Sequence, residues 1–266
     1  MTTAYADGKM LAEASEGVGL ITFNQPEKRN AMSVAMWHGL SEILDAFAAD
    51  AAIRTVVMTG AGTKAFVSGA DISQFEQTRV DGNAQLEYER LTSAGRAKLA
   101  NFPKPVIAAI RGFCLGGGLG IAMQADLRVA GEGAMFGIPA AKLGIAYSFE
   151  MVERLISLVG QAHARMIIMT GDRLDAAEAQ RIGLVNKVVP DEELTGTVLE
   201  LAKTISANAP MTLRATKLTV NAVMAAESLR NRAAVNAAIL ACFDSADYRE
   251  GRTAFMEKRP ANWQGR

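Results

Sequence analysis

"GFCLGGGLGIAMQADLRVA", residues 112–130, decides how the chain is read. Three consecutive glycines, Gly116 to Gly118, run directly into "LGIAMQA", which reads as the start of a buried helix. Each glycine inside a helix costs roughly 0.5–1 kcal/mol relative to alanine. A helix start that accepts several of them uses its backbone there rather than side chains. Two uses are open. One is close packing of the helix on a strand. The other is a ligand site, because the first N–H groups of a helix lack internal partners and its dipole favours negative charge. The spacing matches neither GxxxxGK[ST] nor GxGxxG, so a nucleotide-phosphate loop has weak support. An oxyanion site needs a second donor. The obvious source is the turn at Gly69 and Ala70 in "FVSGADI" (66–72).

Strand and helix patterns alternate on both sides of the glycines. "GVGLITFNQPEKRN" (17–30) predicts a strand running into a Pro-marked turn, and "RTVVMTGAG" (54–62) predicts a second strand. Between them, Met36, Leu40, Ile43, Leu44 and Phe47 recur at helical spacing over residues 33–50. Residues 83–101 read as a helix interrupted by Gly95. The apolar run after Pro105 and "DLRVAG" (126–131) read as strands. Strands alternating with helices imply parallel pairing and an α/β fold. From about residue 160 the pattern is mainly helical, with one short strand in "LVNKVV" (184–189) and Pro210 at a tolerated first-turn position. The apolar faces of those helices need a partner.

Composition narrows the function. Among 266 residues, 28 Lys+Arg balance 28 Asp+Glu, which lacks the basic excess of a nucleic-acid binder. Cys114 and Cys242 form no CxxC or metal-ligand spacing, which argues against a zinc site or disulfide scaffold and fits a reducing compartment. No secretory pattern opens the chain, and no apolar run reaches the roughly 18 residues of a membrane span. A cytoplasmic protein with no membrane partner and no metal is expected. His38 and His163 stand near no GxSxG serine, and Ser68 sits in "FVSGAD", so a Ser-His-Asp hydrolase is disfavoured.

Taken together, "AFVSGADI" (65–72), "KPVIAAIRGFCLGGGLGIAMQADLRVAG" (104–131), "AMFGIPAAKLGI" (134–145) and "MTGDRLDAAEAQRIGLVNKVV" (169–189) resemble the ordered signature of the crotonase, or enoyl-CoA hydratase/isomerase, superfamily. The resemblance runs from "GLITFNQPEKRNAMS" (19–33) to "DYREGRTAFMEKRPANW" (247–263). It implies a crotonase-like ββα spiral over residues 1–200 and a helical C-terminal trimerisation region over 201–266. It also implies a homo-oligomer, either a trimer or a dimer of trimers. The implied substrate is an acyl-CoA thioester, with coenzyme A as part of the substrate and no separate cofactor. By motif match, the backbone N–H groups of Ala70 and Gly117 hold the thioester oxygen. Ala70, Asp71 and Ile72 resemble the adenine and pantetheine contact, and Arg29 a phosphate contact at the mouth. Phe255 and Lys258 match the C-terminal segment that reaches coenzyme A.

The chain departs from this pattern at the acids. Hydratases of the family place one glutamate in "GGGxE" and another in "FGxPE"; here those positions hold Gly120 and Ala140. The segment "LGIAYSFEMVERL" (143–155) offers Tyr147, Glu150 and Glu153 instead, with Tyr147 and Glu150 as the leading acid–base candidates. Tyr147 stands where family decarboxylases acting on methylmalonyl-CoA also carry a tyrosine. Three functions remain open at this point. They are a hydratase/isomerase-type enzyme with a relocated acid–base group, a CoA-thioester decarboxylase or lyase, and a catalytically silent acyl-CoA-binding subunit.

Overall fold

The computed structural model describes residues 1–71 and 82–266. It opens with a hairpin that the sequence patterns do not reveal. β1 (Thr2–Tyr5) and β2 (Met10–Ser15) pair antiparallel around a turn in which Ala6, Asp7 and Gly8 take φ of 51°, 56° and 80°. β3 (Val18–Phe23) pairs antiparallel with β2. α1 (Val34–Ala49) follows, capped by Ser33, whose Oγ accepts the Met36 N–H at 3.2 Å. Such a cap is worth about 1 kcal/mol. α1 buries Met36, Leu40, Ile43, Leu44 and Phe47, the face expected from their spacing, and Trp37 with them.

Three strand–strand–helix turns come next. They are β4 (Thr55–Gly60), β5 (Ala65–Val67) and α2 (Gly82–Ala100); β6 (Val106–Ile110), β7 (Phe113–Leu115) and α3 (Gly117–Ala122); β8 (Leu127–Gly131), β9 (Met135–Gly137) and α4 (Phe149–Thr170). β10 (Arg173–Asp175), α5 (Ala176–Arg181), β11 (Lys187–Val189) and α6 (Leu194–Ser206) complete this part. In each turn the first strand joins a seven-stranded sheet, in the order β1-β2-β3-β4-β6-β8-β11. The second strand joins a smaller sheet ordered β10-β9-β7-β5. From β3 to β11 the large sheet is parallel throughout.

The strands of this sheet are apolar on both faces, as a covered parallel sheet requires. Val56, Met58, Val106, Ala108 and Ile110 enter the main core with α1 and the small sheet. Their alternates Val57, Ile107, Ala109 and Val129 pack under Val198 and Ala202 of α6. α6 therefore belongs to the sheet, and the boundary expected at residue 200 falls inside it. Gly95 lies within α2, not at a break; a side chain there would collide with the Trp37 ring, 2.6 Å from Cε3.

α7 (Pro210–Met224), α8 (Arg232–Asp244) and α9 (Ala246–Glu257) form the helical end of the chain. α7 buries only Ala215 and α8 buries nothing, while Val220, Val223, Leu240, Phe243 and Phe255 stand exposed. No helix among the described residues is long and apolar enough to cross a membrane.

Candidate active site

α3 starts at Gly117, with Gly116 as its N-cap at φ 50°, ψ −119°, a conformation that side chains resist. A Cβ on Gly118 would run into the Val67 carbonyl, so α3 lies directly against β5. The glycine run thus serves close packing and something more. Beside it, the Met32 N–H donates to the Gly69 carbonyl at 2.8 Å and the Asp71 N–H donates to the Met32 carbonyl at 2.9 Å. These bonds bracket Ala70 and leave its own N–H unused. Neither the Ala70 N–H nor the Gly117 N–H meets an acceptor among the described residues. A Cβ on Gly117 would lie 3.9 Å from the Ala70 nitrogen, so the two donors face one small space.

That space opens into a cavity of about 220 Å³. Ala70 and Gly117 line it together with Tyr147, Ala140 and Met151, and with Gln85, Glu89, Thr92 and Arg96 from one side of α2. The Tyr147 hydroxyl donates to the Gly116 carbonyl at 2.6 Å. Burial pushes the tyrosine pKa well above its ordinary range; the Arg96 charge opposes this, while Cys114 and Glu89 add to it. Tyr147 therefore stays protonated, with that proton engaged on the backbone. In this position the Tyr147 hydroxyl supports the helix start.

The sequence model of the enoyl-CoA hydratase/isomerase family matches residues 13–266. The chain belongs to this family, within the crotonase superfamily. It is 38% identical over 251 residues to a short-chain-enoyl-CoA hydratase of Clostridium acetobutylicum, covering 94% of this chain and 95% of that one. It is 37% identical to a crotonyl-CoA hydratase of Syntrophomonas wolfei, covering 96% and 97%. The crystal structure of an enoyl-CoA hydratase from Bacillus anthracis superimposes with a TM-score of 0.90 at 31% identity, covering 97% and 100%.

Within this enoyl-CoA hydratase/isomerase family member, position 120 is closed to a side chain. A side chain at position 120 would collide with Met151 Cε, because Met151 of α4 fills that space. The stem of Arg96 flanks it, with Cδ 3.8 Å from the same point. Ala140 is buried. Among the described residues lining the cavity, the charged pair is Glu89 and Arg96, joined at 2.7 Å. Sequence reasoning missed both. The available signal was the helical spacing of Gln85, Glu89, Thr92 and Arg96, a polar stripe on a helix face that Thr92 and Arg96 bury. Two further polar atoms on lining residues, Trp37 Nε1 and Ser148 Oγ, are buried without a hydrogen-bond partner among the described residues.

The other expected site residues scatter. Glu150 is exposed and borders a separate groove with Glu153 and Arg154. One residue along a helix is about 100° around it, so turning Met151 inward turns Glu150 out of the cavity. Asp71 is buried beside the donors and paired with Lys28 at 2.8 Å, which anchors the turn. Arg29 is exposed, with its guanidinium 5.3 Å from the Phe113 ring centre; Arg173 approaches the same ring at 5.0 Å. Ile72 lies outside the described residues. Phe255 and Lys258 sit at the end of α9, and Phe255 lines an apolar groove between α7, α8 and α9. A single chain does not bring either to the cavity. His38 is exposed, His163 is half-buried, and neither lines the cavity.

Proposed function

We propose that this protein binds an acyl-CoA thioester and stabilises its enolate on the Ala70 and Gly117 N–H groups. The observation that carries this reading is the convergence of two unpartnered backbone donors at the mouth of the cavity. Charge gathers on the thioester oxygen as the enolate forms. Donors already aimed there stabilise it without reorganising, and losing one such donor typically costs about 3–4 kcal/mol. The cavity lies below the ~300–1,000 Å³ usual for small-molecule sites, which favours a short acyl group. Arg29, exposed beside the Phe113 ring, is the cation that the resemblance offers to the phosphates of coenzyme A.

Within hydratase/isomerase chemistry, water addition needs one group to activate water and one to deliver a proton. Moving a double bond along the chain needs one group that takes a proton and returns it. With positions 120 and 140 empty of carboxylates, the second reaction is the better supported. A second reading, decarboxylation, draws on the same vacancy: losing CO₂ yields the enolate with no base at all. The exposed apolar face of α7 to α9 supports a homo-oligomer, a trimer or a dimer of trimers.

The test is turnover of purified protein on 3-butenoyl-CoA, crotonyl-CoA and methylmalonyl-CoA, with thioester binding measured in parallel. Conversion of 3-butenoyl-CoA outpacing hydration of crotonyl-CoA is expected. Loss of CO₂ from methylmalonyl-CoA alone would install the second reading. Tight binding with no reaction would indicate a silent acyl-CoA-binding subunit, and weak binding would overturn the thioester site itself.

A further inference from the structure

We propose that Glu89, held by Arg96 on the cavity wall, is the catalytic acid–base residue of this site. The inference rests on the enolate reading above and names the group that reading lacks. Glu89 is the carboxylate among the described residues that line the cavity. Its Oε1 accepts from Arg96 Nη2 at 2.7 Å, and no described residue donates to Oε2. The side chain of Arg96 is 10% exposed and that of Glu89 is 37% exposed, so the cation is packed away and the carboxylate faces open space.

Placement supports the same assignment. Arg96 packs its stem beside Gly120, the position from which a motif glutamate would project. The ion pair therefore brings a carboxylate from α2 toward the side of the cavity where α3 has none. Glu89 and Arg96 also lie near enough to the Tyr147 hydroxyl for both charges to act on it. Tyr147 in turn touches the peptide that carries the Gly117 N–H. Acid, tyrosine and oxyanion donor thus line one cavity.

The step is a proton transfer. The Glu89 carboxylate takes a proton from C2 of the acyl chain. The C–H electron pair becomes the C1–C2 double bond of the enolate, and the thioester π pair moves onto the oxygen held by Ala70 and Gly117. Protonated Glu89 then returns a proton to C2, giving exchange, or to C4 of a 3-enoyl thioester, giving the 2-enoyl isomer. Nothing is oxidised or reduced, and no co-reactant is consumed. One paired carboxylate suffices because the same group acts first as base and then as acid.

The test is exchange of the C2 protons of butyryl-CoA in D₂O, followed by mass spectrometry, with thioester affinity measured on the same samples. Wild-type protein is expected to exchange. Glu89→Gln should lose about 10²–10⁴-fold in rate, the usual contribution of an acid–base group, while binding the thioester as before. Glu89→Asp keeps the carboxylate one methylene short and should recover part of the rate. Exchange by Glu89→Gln within threefold of wild type would overturn the assignment and leave the enolate reading standing. Wild-type protein that binds butyryl-CoA but neither exchanges nor turns over any substrate would overturn both.

Discussion

The Tyr147 hydroxyl donates to the Gly116 carbonyl across 2.6 Å, and that carbonyl shares a peptide group with the Gly117 N–H. One end of the peptide is therefore held by the half-buried Tyr147 phenol while the other faces the cavity. Hydrogen bonding at the carbonyl polarises the amide and strengthens its N–H as a donor. It also fixes the direction of that N–H at a helix start whose N-cap, Gly116, has no side chain to hold it.

Tyr147→Phe removes this support and leaves the proton-transfer group in place. The net worth of such a bond is about 0.5–1.5 kcal/mol. A fall in kcat of about three- to tenfold with KM nearly unchanged is expected from steady-state kinetics, because the oxygen carries more charge in the transition state than in bound substrate. A loss beyond a thousandfold would instead make the tyrosine a proton donor in the reaction.

Alkaline stability follows from the same burial. The folded state raises the pKa of the Tyr147 phenol and the Cys114 thiol, in both cases chiefly through desolvation. The unfolded chain releases those protons near the ordinary values of about 10 and 8.5. Above those values the folded state binds more protons than the unfolded one, so stability falls as pH rises. Denaturant midpoints should decline from about pH 8.5 upward, and Tyr147→Phe should flatten the part of the decline above about pH 10.

Restoring the motif acid tests the closure around Gly120. Gly120→Glu alone should lower stability by about 1–3 kcal/mol, the cost of overpacking, since Met151 holds that space. Met151→Ala alone leaves a cavity and should cost about 2–5 kcal/mol. Combined, the two should be less destabilising than their sum, a coupling that neighbouring residues show and distant ones do not. Thermal melts of the three variants read this directly.

Much of this was legible in the sequence, for identifiable reasons. β4 and β6 are near-continuous apolar runs and α1 carries a clean 3.6-residue stripe, so both stood out. The glycines and the "SGAD" turn marked the two backbone donors, because no side chain competes for the signal there. The strands β5, β7, β9 and β10 are three residues long and too short to display alternation. The β1–β2 turn depends on non-glycine residues at positive φ, which composition does not announce. Glu89 and Arg96 stand about 20 to 30 residues before the glycines, on a helix whose polar stripe resembles a solvated face until the fold covers it. Glu150 stands at a helix start where a carboxylate is favoured, but the helix phase that seats Met151 takes it away from the cavity.

The helical end should assemble. Leu240 and Phe243 of α8 are 62% and 58% exposed, and Val220 and Val223 of α7 are 55% and 61% exposed, too much apolar surface for a lone chain. Analytical ultracentrifugation should find a trimer or a multiple of it, and Phe243→Glu should shift the population toward monomer.

The central claim is that the thioester oxygen rests on the Ala70 and Gly117 N–H groups. The most direct measurement is the carbonyl stretching frequency of an enoyl-CoA thioester bound to the protein. Gly117→Pro provides the comparison, because it deletes the N–H at a helix position where proline is tolerated. A shift to lower frequency on binding wild-type protein, largely abolished in Gly117→Pro, is the predicted result. An unshifted carbonyl in the wild-type complex, or the same shift in both proteins, would contradict the account.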